Sequence, residues 1–326
     1  MSDTATVVRA AAVQAEPVVL DREATVAKAC RLIDEAAGEG AGLIVFPEAF
    51  ITTYVSGAVW GRGLADISST RGKKAWSRLW HNSVDVPGDT TDALGEAARK
   101  AGSIVVMGVH ERGRDEGTLY NTLLFIWSDG ELLGKHRKLM PTNHERMVWG
   151  RGDGSTLRVY DTPVGKIGGL ICWENWMPLA RYALYSQGEE IHVAPTADDR
   201  ELFVVNARNT AAEGGVFVVS VCQILRKSSH PADFELQPEL DEAPEFLQEG
   251  GSAIVAPGGE VLAGPLWKEE GILYADLDLS RIVEQRQQFD VVGHYARPDV
   301  LRLELNRSPQ PVLTVADGQE QCGETE

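Results

Sequence analysis

Apolar and polar positions alternate with two different periods along this chain. Val7 to Ala15 is a short apolar-rich segment with alternating character, which predicts a strand. Asp21 to Ala37 instead places Val26, Ala29, Cys30, Ile33 and Ala37 at helical spacing, so a helix with one buried stripe follows. Gly42 to Phe46 (GLIVF) is continuously apolar and ends at Pro47, the pattern of a strand covered on both faces. The same reasoning predicts strands over Ser103–His110, Asn121–Ser128, Glu131–His136, Ile191–Ala194, Val216–Cys222, Ser252–Ala256 and Ile272–Leu277. Helices are predicted over Thr90–Ala101, capped by Thr or Asp, Met177–Gln187 closed by Gly188, Leu202–Glu213 closed by Gly214, and Ser280–Gln287.

Turn residues set the connections. Asp129-Gly130 marks a hairpin, and Thr162-Pro163-Val164-Gly165 joins strands predicted over Leu157–Tyr160 and Ile167–Cys172. Pro257-Gly258-Gly259 marks another turn. Two stretches carry no clear period. Ala49–Gly88 is too long for a simple connection and is a candidate active-site loop region, and Leu225–Glu249 is polar and contains proline. Strands and helices alternate throughout with no break in composition and no internal repeat, which predicts one α/β layered domain. Its expected extent is residues 1–305. Residues 306–326 form an acidic tail expected to be disordered, above all Ala316 to Glu326.

Charge changes the picture by exclusion. The 326 residues carry 48 acidic and 31 basic side chains, a net charge of −17. Nucleic acid and anionic membrane surfaces both need clustered cations, so neither is an expected partner. No apolar run reaches the length of a membrane span, and the N-terminus lacks the layout of a signal peptide. Four cysteines, Cys30, Cys172, Cys222 and Cys322, make no disulfide framework in a chain this long. A reduced, cytoplasmic protein is expected.

Among these thiols Cys172 differs. Cys30 lies on a helical apolar stripe, Cys222 ends a buried-type strand and Cys322 sits in the tail. Cys172 ends an apolar strand (GGLIC), with a helix starting within five residues. A helix N-terminus there favours the thiolate, and its backbone N–H groups can bind a developing anion. A buried structural thiol is the plain alternative. A nucleophile needs a base. The seven histidines are scattered, and no HExxH or CxxC spacing marks a metal site. Glu48 follows the buried strand GLIVFP, at the edge where α/β sites are built, and burial there raises a carboxyl pKa toward the range of proton shuttling. Lys138 and Glu145 lie in the polar segment HRKLMPTNHER; taken alone, each reads as equally at home on a solvated surface.

Together these segments resemble the nitrilase superfamily, and within it the nitrile-hydrolysing branch. FPEAF carries Glu48, HRKLMPTNHERMVWGRGDGS carries Lys138 and Glu145, and GGLICWENWMPLARYALYSQG carries Cys172, in the family's Glu-Lys-Glu-Cys order. The likeness continues through EIHVAPTAD, AAEGGVFVVSVCQ, APGGEVLAGP and FDVVGHYARPDV, from about residue 7 to residue 305. It implies a four-layer α-β-β-α sandwich that pairs into a homodimer through helices, the segment after Cys172 and the C-terminal segment among them, and builds larger homo-oligomers or spirals. Trp173 in CWEN and His294 in FDVVGHYARPD favour the nitrile branch over amidase relatives. One departure stands out: Ile51-Thr52-Thr53-Tyr54 replaces the Pro-Gly pair that this branch usually carries before an aromatic residue.

What the resemblance implies is hydrolysis of an organic nitrile to its acid and ammonia, with no metal and no organic cofactor. Cys172 is the implied nucleophile, Glu48 the base, Lys138 the stabilising cation and Glu145 its orienting partner. Thr53, Tyr54, Trp60, Trp173 and Thr196 are expected to line the substrate pocket, whose aromatic content suits an aryl or arylaliphatic nitrile. An amidase or carbamoylase, a cyanide-hydrolysing enzyme and an inert assembly scaffold are the competing readings.

Overall fold

A computed structural model describes residues 7–114 and 117–311. In chain order its elements are β1 (Val7–Gln14), α1 (Arg22–Gly38), β2 (Leu43–Val45), α2 (Thr70–His81), α3 (Asp89–Ala101), β3 (Ile104–Arg112), β4 (Leu119–Ile126), β5 (Leu132–Arg137), β6 (Tyr160–Thr162), β7 (Gly165–Gly169), α4 (Pro178–Tyr185), β8 (Ile191–Thr196), α5 (Glu201–Gly214), β9 (Phe217–Cys222), β10 (Ile224–Arg226), α6 (Gln237–Asp241), β11 (Phe246–Val255), β12 (Val261–Trp267), β13 (Gly271–Asp278) and α7 (Ser280–Gln288). One sheet runs β13-β1-β2-β3-β4-β5; the other runs β10-β11-β9-β8-β7-β6, with β12 paired to β11.

The apolar runs explain why two sheets stack. Along β1, Val8, Ala10 and Ala12 enter the cluster between the sheets, while Ala11 and Val13 enter a second cluster under α1 and α3. Leu43 and Val45 against Ile44, Ile104 and Val106 against Val105 and Met107, and Leu123 and Phe125 against Leu124 divide in the same way. Phe217 and Val219 of β9 face inward; Val218 faces outward onto Phe203 and Ala207 of α5. A strand with both faces covered has no polar side to show, hence the unbroken runs. The order of layers is helices, sheet, sheet, helices.

Several expected boundaries shift. The strand expected to reach Cys172 stops at Gly169, and a 3-10 turn covers Cys172–Trp176. The helix expected from Met177 begins at Pro178, whose fixed φ suits a first helical position, and ends at Tyr185. The helix expected to close on Gly214 includes it; Gly215, at φ +58, is the closing residue. On α1 the buried positions are Thr25, Ala29, Ile33 and Ala36, and Cys30 is half-buried at the edge of that stripe.

The two aperiodic stretches contain structure. Residues 49–88 hold a π-helical turn, Gly57–Gly61, and α2; residues 225–249 hold α6 and the start of β11. They share an apolar cluster in which Val59, Trp60 and Leu79 meet Phe234, Leu236 and Leu240, with Leu119 and Trp149 at its margin. Residues 306–311 lie along the 153–154 loop: Gln310 N donates to Asp153 Oδ2 at 2.8 Å. Cys322 and the segment Ala316–Glu326 fall outside the described residues. Among the described residues no helix is long and apolar enough to cross a membrane.

Candidate active site

The structure brings Glu48, Lys138, Glu145 and Cys172 together from four separate segments. Glu48 follows β2 in a turn pressed against β3. A Cβ at Gly108 would stand 2.1 Å from Pro47 O and 2.6 Å from Ala49 N, so only glycine lets the turn approach this closely. Asn121 at the start of β4 donates to Glu48 Oε1 at 2.7 Å, and Gln223 Nε2 donates to the Glu48 carbonyl at 3.1 Å.

Lys138 follows β5. An irregularity in the β4–β5 register, between Phe125 and Ile126, resets the alternation so that Leu132 faces the outer cluster and Leu133 the inner one. Beyond it, Lys135 and Arg137 lie on one face while His136 and Lys138 lie on the other. The Lys138 ammonium donates to Glu48 Oε1 at 2.7 Å and to Glu145 Oε2 at 2.8 Å, and all three side chains are buried. Trp149 lies 5.9 Å from the ammonium. Glu145 sits in a 3-10 turn, Asn143–Met147, and its carboxylate is fully engaged: Tyr54 OH donates to Oε1 at 2.6 Å, and Thr142 N donates to Oε2 at 2.6 Å.

Cys172 begins the 3-10 turn after β7 at φ +53, a left-handed conformation that costs a non-glycine residue about 1–3 kcal/mol. Neighbouring contacts hold it there. Asn175 Nδ2 donates to the carbonyls of Leu170 and Cys172, both at 2.9 Å, and its Oδ1 lies 2.7 Å from His192 Nε2, while His192 Nδ1 lies 2.9 Å from Glu189 Oε1. Gly168 makes room for that buried Glu189 carboxyl: a Cβ there would lie 2.2 Å from Glu189 Oε1. Thr196 at the end of β8 donates to Cys172 Sγ at 3.3 Å.

Electrostatics divide the labour. Burial, with Glu145 adding to it against Lys138, pushes the Glu48 carboxyl up to about 7. Burial works to discharge Lys138, but the two carboxylates outweigh it and hold its pKa well above the ordinary lysine range. The Cys172 thiol is pushed up strongly, by burial first and Glu48 next. This corrects the expectation of a helix-favoured thiolate: α4 starts six residues later, so its dipole does not offset desolvation and two facing carboxyl groups. The resting group is a thiol, and the carboxyl that acts on it most strongly, Glu48, is poised near neutrality. Glu48 Oε2 is buried with no hydrogen-bond partner among the described residues, leaving a lone pair for a proton.

The expected pocket residues separate. Thr196 touches the thiol, and Tyr54 supports Glu145. Thr53 is buried, with its carbonyl accepting from His110 Nε2 at 2.6 Å. Burial lowers His110 to about 4, so the ring is neutral; its Nδ1 accepts from Trp149 Nε1 at 2.9 Å. Trp60 packs 5.6 Å from Phe234 in the core shared by the two aperiodic stretches. Trp173 is 44% exposed; its indole donates to Asp198 Oδ2 at 2.8 Å, and the Arg200 guanidinium lies 5.3 Å from its ring. Sequence reasoning missed Asn121, Trp149, Glu174 and Asn175. Trp149 stood in the HRKLMPTNHERMVWGRGDGS segment and Glu174 and Asn175 in the CWEN segment of the nucleophile, whereas Asn121 carried no signal. Among the described residues no group of three His, Cys, Asp or Glu side chains is placed to hold a metal ion.

Comparison with known proteins agrees over nearly the whole chain. The carbon-nitrogen hydrolase family profile matches residues 9–287. A bifunctional nitrilase/nitrile hydratase NIT4A from Nicotiana tabacum is 49% identical over 300 residues, covering 91% of this chain and 85% of its own. An aliphatic nitrilase from Sinorhizobium fredii is 47% identical over 305 residues, covering 94% of this chain and 97% of its own. Among solved structures, Saccharomyces cerevisiae Nit3, a member of branch 10 of the nitrilase superfamily, superposes with a TM-score of 0.70 at 24% identity, over 90% of this chain and 99% of its own. With the α-β-β-α sandwich and the Glu-Lys-Glu-Cys cluster, these matches place the chain in the carbon-nitrogen hydrolase family, the nitrilase superfamily.

Proposed function

We propose that this protein is a nitrilase that hydrolyses an organic nitrile to a carboxylic acid and ammonia through a covalent bond between carbon and Cys172. The observation that carries the assignment of roles is the buried Glu48–Lys138–Glu145 array facing a buried thiol. Glu48 takes the thiol proton as Sγ attacks the nitrile carbon. The electron pair released from the C–N triple bond goes to nitrogen, where a proton returns and gives a thioimidate. The Lys138 ammonium, with the Trp173 backbone N–H, stabilises charge developing on that nitrogen. Water, deprotonated by Glu48, adds to the carbon. The tetrahedral species expels ammonia once its nitrogen holds three protons, which leaves a thioester. A second water, activated in the same way, releases the acid and restores the thiol. Glu145 orients Lys138 and keeps it charged. Neither a metal nor an organic cofactor enters any step.

If the tetrahedral species breaks its C–S bond before its C–N bond, the product is an amide. The tobacco relative's description as a bifunctional nitrilase and nitrile hydratase supports some amide by-product here. The aromatic side chains near the site favour an aryl, arylaliphatic or substituted aliphatic nitrile. Exposed Trp176, Met177 and Leu179 beside α4, with Leu202 and Val205 on α5, support pairing of two copies through these helices, as the building block of a larger homo-oligomer. We place the enzyme in the cytoplasm and take residues 1–305 as its single domain.

The test is ammonia release from a panel of phenylacetonitrile, a dinitrile, 3-cyanoalanine, cyanide and an amide, with mass spectrometry of the peptide carrying Cys172. Turnover of nitriles in preference to amides, with a substrate adduct on Cys172, is expected. Cys172→Ala should abolish turnover and Cys222→Ala leave it nearly intact; the reverse pattern would refute the nucleophile.

A further inference from the structure

The catalytic groups do not belong to one sheet. Glu48 follows β2 and Lys138 follows β5, both in the six-stranded sheet, whereas Cys172 follows β7 and Thr196 ends β8, in the seven-stranded one. The distance from ammonium to sulfur is therefore a distance between sheets. Apolar packing between sheets is non-directional and does not by itself fix such a distance finely.

Polar side chains do cross between the sheets, as Gln223 does to the Glu48 carbonyl and Gln14 to Ser252 N, and Glu174 is the one that joins the backbone beside Lys138 to the backbone beside Cys172. Glu174 is fully buried, and its two oxygens take backbone donors from both sheets. Leu139 N, next to Lys138, donates to Oε1 at 2.6 Å, and Ile171 N, next to Cys172, donates to Oε2 at 2.7 Å. His136 Nε2, two residues before Lys138, lies 3.1 Å from both oxygens. Burial works against this carboxylate, but His136 and the backbone donors outweigh it and hold its pKa below the ordinary range. We infer that Glu174, with His136 behind it, is a positioning residue that sets the separation between the Lys138 ammonium and the Cys172 thiol, and through it the partition between acid and amide.

The inference rests on the nitrilase reading above and deepens it. Ammonia leaves only after its nitrogen has gained a third proton. If the sulfur-bound intermediate sits away from Lys138 and Glu48, that proton arrives late, and C–S cleavage competes. A misplacement of 1 Å costs roughly a hundredfold in rate. Glu174→Gln keeps the volume but turns an NH2 group toward one of the two backbone N–H donors, so it breaks one arm of the bridge.

The experiment measures kcat, KM, the acid-to-amide ratio and Tm on the nitrile that the wild type turns over best. Its variants are Glu174→Gln, His136→Gln and, as control, Glu111→Gln. Glu111 is a buried carboxylate held by Thr122, Lys135 and Arg137, but it ties strands of one sheet only. For Glu174→Gln, kcat should fall about ten- to hundredfold, KM should stay within about threefold, and the amide fraction should rise severalfold. The product ratio is independent of how much enzyme is folded. His136→Gln should move it in the same direction by less, which keeps the test open if Glu174→Gln does not fold. Glu111→Gln should lower Tm and leave the ratio alone. An unchanged ratio in both Glu174→Gln and His136→Gln, or an equal rise in Glu111→Gln, overturns the inference. Wild-type enzyme without nitrile turnover or a Cys172 adduct would instead overturn the functional reading, before any variant is compared.

Discussion

Two buried charge clusters use opposite faces of β5, and they are assembled to opposite balances. On the outer face Glu111 accepts from Thr122, Lys135 and Arg137: one carboxylate serves two cations, and both oxygens are engaged. On the inner face two carboxylates serve the single cation Lys138, and one oxygen of Glu48 has no partner among the described residues. Burial acts on both glutamates in the same sense. Around Glu111 the cations and their hydrogen bonds outweigh it, and the pKa falls below the ordinary range; around Glu48 they do not, and it rises to about 7. A structural ion cluster is satisfied and sits at its most stable protonation state. The catalytic one holds a surplus of negative charge and an idle lone pair, which is what proton transfer at neutral pH requires.

Removing the one inner-face cation should have the largest effect. Lys138→Met should cost on the order of a hundred- to a thousandfold or more in kcat, by analogy with loss of a transition-state donor; a near wild-type rate would end its electrostatic role. The pH profile comes next. Glu48 acts as a base only when ionised, so kcat/KM on a neutral nitrile should rise about tenfold per pH unit below about 7 and level off above it. A profile flat from about pH 5.5 to 8 would contradict the assignment.

Stability should separate the clusters by sign. Glu111 has a lowered pKa, so its stabilisation is present above the ordinary carboxylate range and lost as pH falls through its depressed value. Glu111→Gln should lose about 1–3 kcal/mol near pH 7, seen as a Tm lowered by several degrees. That deficit should shrink in acid while kcat stays within about twofold. Glu48 works the other way: its raised pKa favours the fold below the ordinary carboxylate range, and that contribution is lost as pH rises through about 7. Equal Tm deficits for Glu111→Gln at about pH 3 and pH 7 would undo the contrast. The smallest effect belongs to Thr196→Val, which removes the hydroxyl donor to sulfur and should lower kcat/KM about two- to tenfold.

What could be read from the sequence follows physical lines. Strands covered on both faces announce themselves as apolar runs, and a layered α/β domain follows from them; the two-sheet sandwich came from the family resemblance. The four named residues were recognised through motif order; taken singly, Lys138 and Glu145 looked like surface charges, because which face a strand buries beyond an irregularity is not written in its alternation. α2 escaped because its buried positions, Gly72, Ala75 and Leu79, include only one large apolar residue. β12 escaped because it pairs only with β11, has no fully buried position and contains Gly264-Pro265. The start of β11 carries Gln248 and Gly250-Gly251, which read as loop; Gln248 is nonetheless buried. The Glu174 bridge depends on two sheets meeting, a contact that no local pattern encodes.

The apolar core shared by residues 49–88 and 225–249 has a consequence for how this enzyme can change. Val59, Trp60 and Leu79 share one cluster with Phe234, Leu236 and Leu240, which touches the sandwich at Leu119 and the site at Trp149. Ile51 and Val84 are stitched to β3, so it is the stretch between them, with residues 234–240, that can loosen and exchange its amide hydrogens while the sheets stay closed. Grafting both from a relative as a matched pair, with Tyr54 kept to hold Glu145, would carry a new substrate preference onto unaltered chemistry, whereas grafting either alone would strand half of an oily seam in water.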